Sequence, residues 1–158
     1  MIRRPSYRSS NKRQRGLAIV EFTIVLPLML LLLLATAELG RAFYEYNTLT
    51  KTVRDGARYL ADVALDGTTG IVDLTDAKIA ETVNLVVYGN IAGTGDPLLN
   101  GLSVADISVV EANPTHIQVS ASYQYSPIFP GGIPTFGLGS GNISTGYMFQ
   151  AQVTMRVL

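Results

Sequence analysis

At 158 residues, with no cysteine, no tryptophan and one histidine, the chain is sized for a single domain; it excludes disulfide bracing, a thiol nucleophile and a Cys/His zinc site. The net charge of zero averages two unequal parts. Residues 1–16 carry six of the 12 basic residues (Arg3, Arg4, Arg8, Lys12, Arg13, Arg15) and no acid, so six basic and 12 acidic residues follow, about −6 for residues 17–158.

The first part, 1–16, is a polar, basic leader with no structural signal. A basic terminus of this kind fits nucleic acid as well as a membrane. Here it abuts an apolar run, so topology is the better explanation and no nucleic-acid binding is expected. The second part, 17–37, is largely apolar and has Glu21 as its only charge. Its 21 residues would make a helix of roughly 31 Å, the thickness of bilayer hydrocarbon. The positive flank before it predicts a cytoplasmic N-terminus and an extracytoplasmic C-terminal domain.

The third part, 38–64, keeps helical periodicity. Leu39, Ala42, Phe43, Tyr46, Leu49, Val53, Ala57, Leu60, Ala61 and Ala64 recur at three- and four-residue steps, while Arg41, Glu45, Lys51, Arg54, Asp55, Arg58 and Asp62 are assigned to the opposite face. No break separates it from the span, so one helix is expected from about Leu17 to Ala64, ended by the turn residues of Asp66–Gly70. Phe43, Tyr44 and Tyr46 suit the aromatic belt where a span meets water. Gly40 and Gly56, inside this helix, are expected where another backbone comes close, against the cost of glycine in a helix, ~1 kcal/mol each.

The fourth part, 65–158, predicts a headgroup. A helix over Thr75–Tyr88 has Asp73 or Thr75 to start it and Gly89 to end it. Strands are expected at Asp106–Glu111, His116–Tyr125 and Tyr147–Leu158, with Asn113-Pro114-Thr115 as a turn. Residues 126–142, with three prolines and five glycines, fit neither period. The fold class is therefore α+β: a long N-terminal helix, a short second helix and an antiparallel sheet of about three strands.

Chemistry concentrates at Arg15-Gly16-Leu17-Ala18-Ile19-Val20-Glu21-Phe22. An acid within a membrane helix costs roughly 2.5–3.5 kcal/mol, so it usually faces a partner. A cut after Gly16 would give Leu17 an α-amino group of pKa about 8, and a neighbouring subunit's ammonium would then pair with Glu21 and set an axial offset. Pro27 removes a backbone donor and frees the Thr23 carbonyl, which predicts a kink or loosened turn.

This block, with Glu38-Leu39-Gly40-Arg41 and Asp55-Gly56-Ala57-Arg58-Tyr59-Leu60-Ala61 after it, resembles the TadE-like minor pilins, or pseudopilins, of the tight-adherence (Tad, or Flp) branch of type IV pilus systems. Tyr123-Gln124-Tyr125-Ser126-Pro127-Ile128-Phe129 and Thr154-Met155-Arg156 are weaker parts of the same pattern. The resemblance implies cleavage between Gly16 and Leu17 by a prepilin peptidase of the inner membrane, with Glu21 acting in processing or docking. It also implies a subunit that joins or primes a pilus of a smaller major Flp pilin, with other minor pilins, an assembly ATPase and platform membrane proteins. Adhesion, biofilm formation and a place at the inner membrane or cell surface come with it.

Two other readings compete. Ala35-Thr36-Ala37 would be an A-x-A signal-peptidase site releasing a soluble domain at Glu38, but the apolar run is long for a signal peptide and holds Glu21. A permanent single-pass anchor bearing a binding domain is the other. Enzymatic function and cofactors are not expected. His116 stands alone, the spacing of Asp62, Asp66, Asp73 and Asp76 is not that of an EF-hand loop, and no serine or threonine sits in a nucleophile elbow.

Overall fold

The computed structural model describes residues 12–65 and 71–157, the first four of these by backbone alone. The expected leader up to residue 11 and the turn at Asp66–Gly70 lie outside the described residues. Helix α1 runs from Lys12 to Val63, 52 residues and about 78 Å. Pro27 lies inside it. Its most apolar 18-residue window has a mean hydropathy of 2.7 and none of it is buried, so this half is long and apolar enough to cross a membrane.

The other half of α1 carries the headgroup. Leu49, Val53, Ala57 and Leu60 are fully buried on one face. Helix α2 (Asp76–Tyr88) packs there through Thr82, Val86 and Val87. Thr75 begins α2, its side chain accepting from the Lys78 N–H, and Gly89 ends it at φ +75°, its N–H donating to the Leu85 carbonyl.

Three antiparallel strands complete the layer: β1 (Ile107–Asn113), β2 (His116–Gln124) and β3 (Met148–Arg156), in the order β1-β2-β3. Strand β2 is central because both neighbours pair with it, Ile107 opposite Ala121 and Tyr123 opposite Phe149. Ile117, Val119, Ala121 and Tyr123 alternate inward against α1, and Gln118, Ser120 and Ser122 face away. The architecture is α+β, one sheet face on two helices. Strand ends differ from the sequence reading by one or two residues, as at Tyr125, which leaves β2 but still donates its N–H to the Tyr147 carbonyl at 2.9 Å.

The apolar stripe on the outer half of α1 differs from expectation. Leu39, Phe43 and Tyr46 are exposed, whereas Glu38 and Glu45 are buried with Ala42 and Leu49. Glu45, assigned by periodicity to the polar face, belongs to the inner one. Glu38, Ala42, Glu45 and Leu49 stand at steps of four, three and four, so they form one helical line. Packing chose this line because β2 supplies phenols opposite the two acids.

Candidate assembly surface and carboxylate clasp

From Gly16 to Val25 every residue of α1 is exposed, including Leu17 and Glu21. The bond between Gly16 and Leu17 lies inside helical backbone, and nothing stands within 4 Å of where a Cβ on Gly16 would be. No contact within the chain requires glycine there. Its local effect is a weaker helix, by about 0.5–1 kcal/mol relative to alanine. Glu21 has only apolar neighbours along the helix face, Leu17 before it and Val25 and Leu28 after it. Thr23 turns its hydroxyl back to the Ile19 carbonyl at 2.8 Å, so it offers that hydrogen to no neighbour.

The two helix glycines differ. At Gly56 a Cβ would meet Val86 Cγ2 at 2.5 Å, so the missing side chain is what lets α2 lie against α1. The closest atom is a side chain, with the Thr82 carbonyl oxygen farther off at 3.6 Å. Gly40 has nothing within 4 Å of its would-be Cβ. Within this chain, the close approach expected at Gly40 is absent, because Gly40 lies beside the exposed Leu39 rather than on the line of Glu38 and Ala42.

A pair of acid–tyrosine contacts, which sequence reasoning missed, joins helix to sheet. Glu38 is 3% exposed; it accepts the Tyr125 hydroxyl at 2.7 Å and the Ile128 N–H at 3.1 Å. Glu45 is 5% exposed; it accepts Arg41 Nε at 2.9 Å and the Tyr123 hydroxyl at 3.0 Å. The Tyr123 hydroxyl also stands 2.9 Å from the Asn100 carbonyl, so its single proton serves either acceptor. A lower contact, Tyr59 to Glu81 at 2.7 Å, ties α1 to α2. Buried carboxylates need such donors, because an unpaired one is costly. Among the described residues no buried side-chain polar atom is left unpartnered.

The same contacts hold the phenols neutral. Burial first, then the hydrogen bond to Glu45, pushes Tyr123 from 10.0 up to about 12. Burial and Glu38 raise Tyr125 further. The hydrogen bond to Glu45 raises the Arg41 guanidinium as well.

The signal for the clasp was present in the sequence. Two acids seven residues apart fall on the line of Ala42 and Leu49, and two tyrosines fall on the inward face of β2. Glu38 and Arg41 begin and end one motif that carried the family resemblance, and Tyr123 and Tyr125 belong to another. Glu38 and Tyr125 meet although 87 residues separate them in the chain.

Comparison with family models matches residues 16–58 to TadE-like protein. Over that stretch the chain is TadE-like. The match begins at Gly16 and ends at Arg58, so it takes in the apolar half of α1, the clasp acids Glu38 and Glu45, and Gly56. It stops before α2 and the sheet. The likeness to TadE-like proteins therefore rests on the helix, not the headgroup. Comparison with curated proteins and with solved structures finds no match.

Of the four aspartates weighed for calcium, Asp66 lies outside the described residues, and Asp73 instead accepts Lys78 Nζ at 3.1 Å. Among the described residues no group of three or more His, Asp or Glu is placed to hold a metal.

Proposed function

We propose that this protein is a minor pilin or pseudopilin of the tight-adherence type, a structural subunit and not an enzyme. The observation that carries the reading is a TadE-like helix whose apolar stretch has no buried residue, while its second half supports a folded headgroup. The first half anchors the subunit in the inner membrane, N-terminus inside, with the headgroup outside. Prepilin peptidase cuts between Gly16 and Leu17. The peptidase needs an extended substrate, and Gly16 lowers the cost of unwinding α1 at the cut. The new Leu17 ammonium of one subunit then pairs with Glu21 of the next as the subunit joins or primes a fibre of major pilin, drawn out by platform proteins for surface adhesion and biofilm growth.

The rival cut at Ala37 is disfavoured by the length of the apolar run and by Glu21 inside it. N-terminal sequencing of the membrane-extracted protein decides among the cuts. Leu17 is expected; Glu38 would overturn the pilin reading, and Met1 would leave a simple anchor. Gly16→Ala and Glu21→Ala are each expected to abolish piliation while the headgroup keeps its thermal transition. Normal piliation in both variants would refute the assembly role.

A further inference from the structure

Residues 126–147, between β2 and β3, hold no Asp, Glu, Lys, Arg or His. The segment is braced. Ile133 and Ile143 exchange backbone hydrogen bonds at 2.9 and 3.0 Å, and the Thr135 hydroxyl donates to the Gly141 carbonyl at 2.8 Å. Asn142 Nδ2 donates to the Gly131 carbonyl at 2.9 Å. Gly132, at φ +83°, lies where a Cβ would stand 2.5 Å from the Ile143 carbonyl oxygen, so the brace admits no side chain there.

What the brace presents outward is apolar. Phe136 is 44% exposed and Leu138 60%. Phe136 also sits at φ +51°, a left-handed conformation that a bulky residue rarely adopts. Contacts inside the chain do not account for a strained aromatic side chain left half in the open.

The placement on α1 is specific. Inward, Ile133 and Ile143 close a cavity against Ala35, Leu39 and Ala42, and the Ile128 N–H caps Glu38. Ala35 to Ala42 covers roughly 10 Å of helix, starting just inside the end of the apolar run at Ala37. The polar zone on each side of a bilayer's hydrocarbon is about 5–7 Å deep. The loop is therefore level with that zone.

We infer that residues 126–147 form an uncharged foot resting on the lipid surface from which α1 emerges, with Phe136 and Leu138 entering the headgroup–acyl boundary. The inference rests on reading α1 as a membrane anchor. The foot continues the surface of the span, carries no charge to desolvate, and offers the aromatic and leucine side chains that favour this zone. It fixes how the headgroup leans on the bilayer before extraction, a task that α1 alone, free to tilt and rotate, does not perform.

Because the chain has no tryptophan, one introduced residue reports alone. The full chain is reconstituted, at about one copy per vesicle, in protein-free phosphatidylcholine vesicles with or without brominated acyl chains. Phe136→Trp and Leu138→Trp are two independent foot probes. Val110→Trp marks the exposed far face of β1, and Leu30→Trp marks the span. Each foot probe is expected to lose about half its emission or more to bromine and to emit at shorter wavelength than Val110→Trp. Foot probes that behave like Val110→Trp while Leu30→Trp is quenched would overturn the foot and leave the anchor standing. An unquenched Leu30→Trp would remove both. Foot probes that shift only when a second copy is added would assign the surface to a subunit and overturn the lipid reading.

Discussion

Glu38 and Glu45 show how two charges reside in a core with few other polar atoms. Each is met by a tyrosine from the end of β2, and Glu38 also takes a backbone N–H, Glu45 a guanidinium. A hydrogen bond to a charged group contributes about 1.5–3 kcal/mol, and its removal from a buried site falls at or above that range. Tyr125→Phe leaves Glu38 with the Ile128 N–H alone. It is expected to destabilise the headgroup by about 1.5–3 kcal/mol, measured by urea unfolding of the detergent-solubilised chain. Tyr123→Phe should cost less, since Glu45 keeps Arg41.

The phenols also set an alkaline limit. Tyr123 titrates at about 12 in the fold against 10.0 when free, so its contribution is complete below pH 10 and is lost as pH rises through about 12. Tyr125 shifts in the same direction. Stability is therefore expected to be flat up to about pH 10 and to fall steeply above it. Spectrophotometric titration checks the cause: each Tyr→Phe variant should remove one late-titrating phenol. Tyr59, raised by its hydrogen bond to Glu81, stays late in both variants; if neither variant loses a late phenol, the assignment fails.

At the scale of the element, α1 is one helix of two characters. Residues 17–37 are long and apolar enough to cross a membrane, with Glu21 as their only charge, and the second half has one buried line. The two glycines report the difference. Gly56→Leu forces a side chain into Val86 and is expected to destabilise the headgroup by about 1–3 kcal/mol in the same unfolding measurement. Gly40→Ala meets open space, so it should be neutral or stabilising by up to ~1 kcal/mol. A Gly40→Ala chain that is stable yet fails to assemble would place the close approach between subunits.

At the scale of the molecule, local pattern and tertiary contact divide the work cleanly. Helix α1, the ends of α2 (Asp73 or Thr75 before it, Gly89 after it) and three strands were all legible, because each rests on periodicity or turn chemistry within a short window. The edge of the buried stripe was not. Leu39, Phe43 and Tyr46 are as apolar as a core requires, yet they are exposed, while two glutamates replace them inside. Hydropathy ranks side chains one at a time; it does not see that Tyr123 and Tyr125 supply donors across the layer. Residues 126–147 were likewise unreadable, since their hydrogen bonds run between irregular backbone segments with no period.

The sequence by itself determined the long helix with its apolar run, the lone acid at Glu21, the α+β class and the likeness to TadE proteins, because spacing along a chain fixes which residues share a helix or strand face. The tertiary structure alone decided that Glu38 and Glu45 face inward, that Gly56 admits α2 while Gly40 stands open, and that an uncharged loop lies beside α1 at the end of the apolar run. Those outcomes depend on which surface packs opposite, and the pairing of distant surfaces is set only when the chain closes on itself.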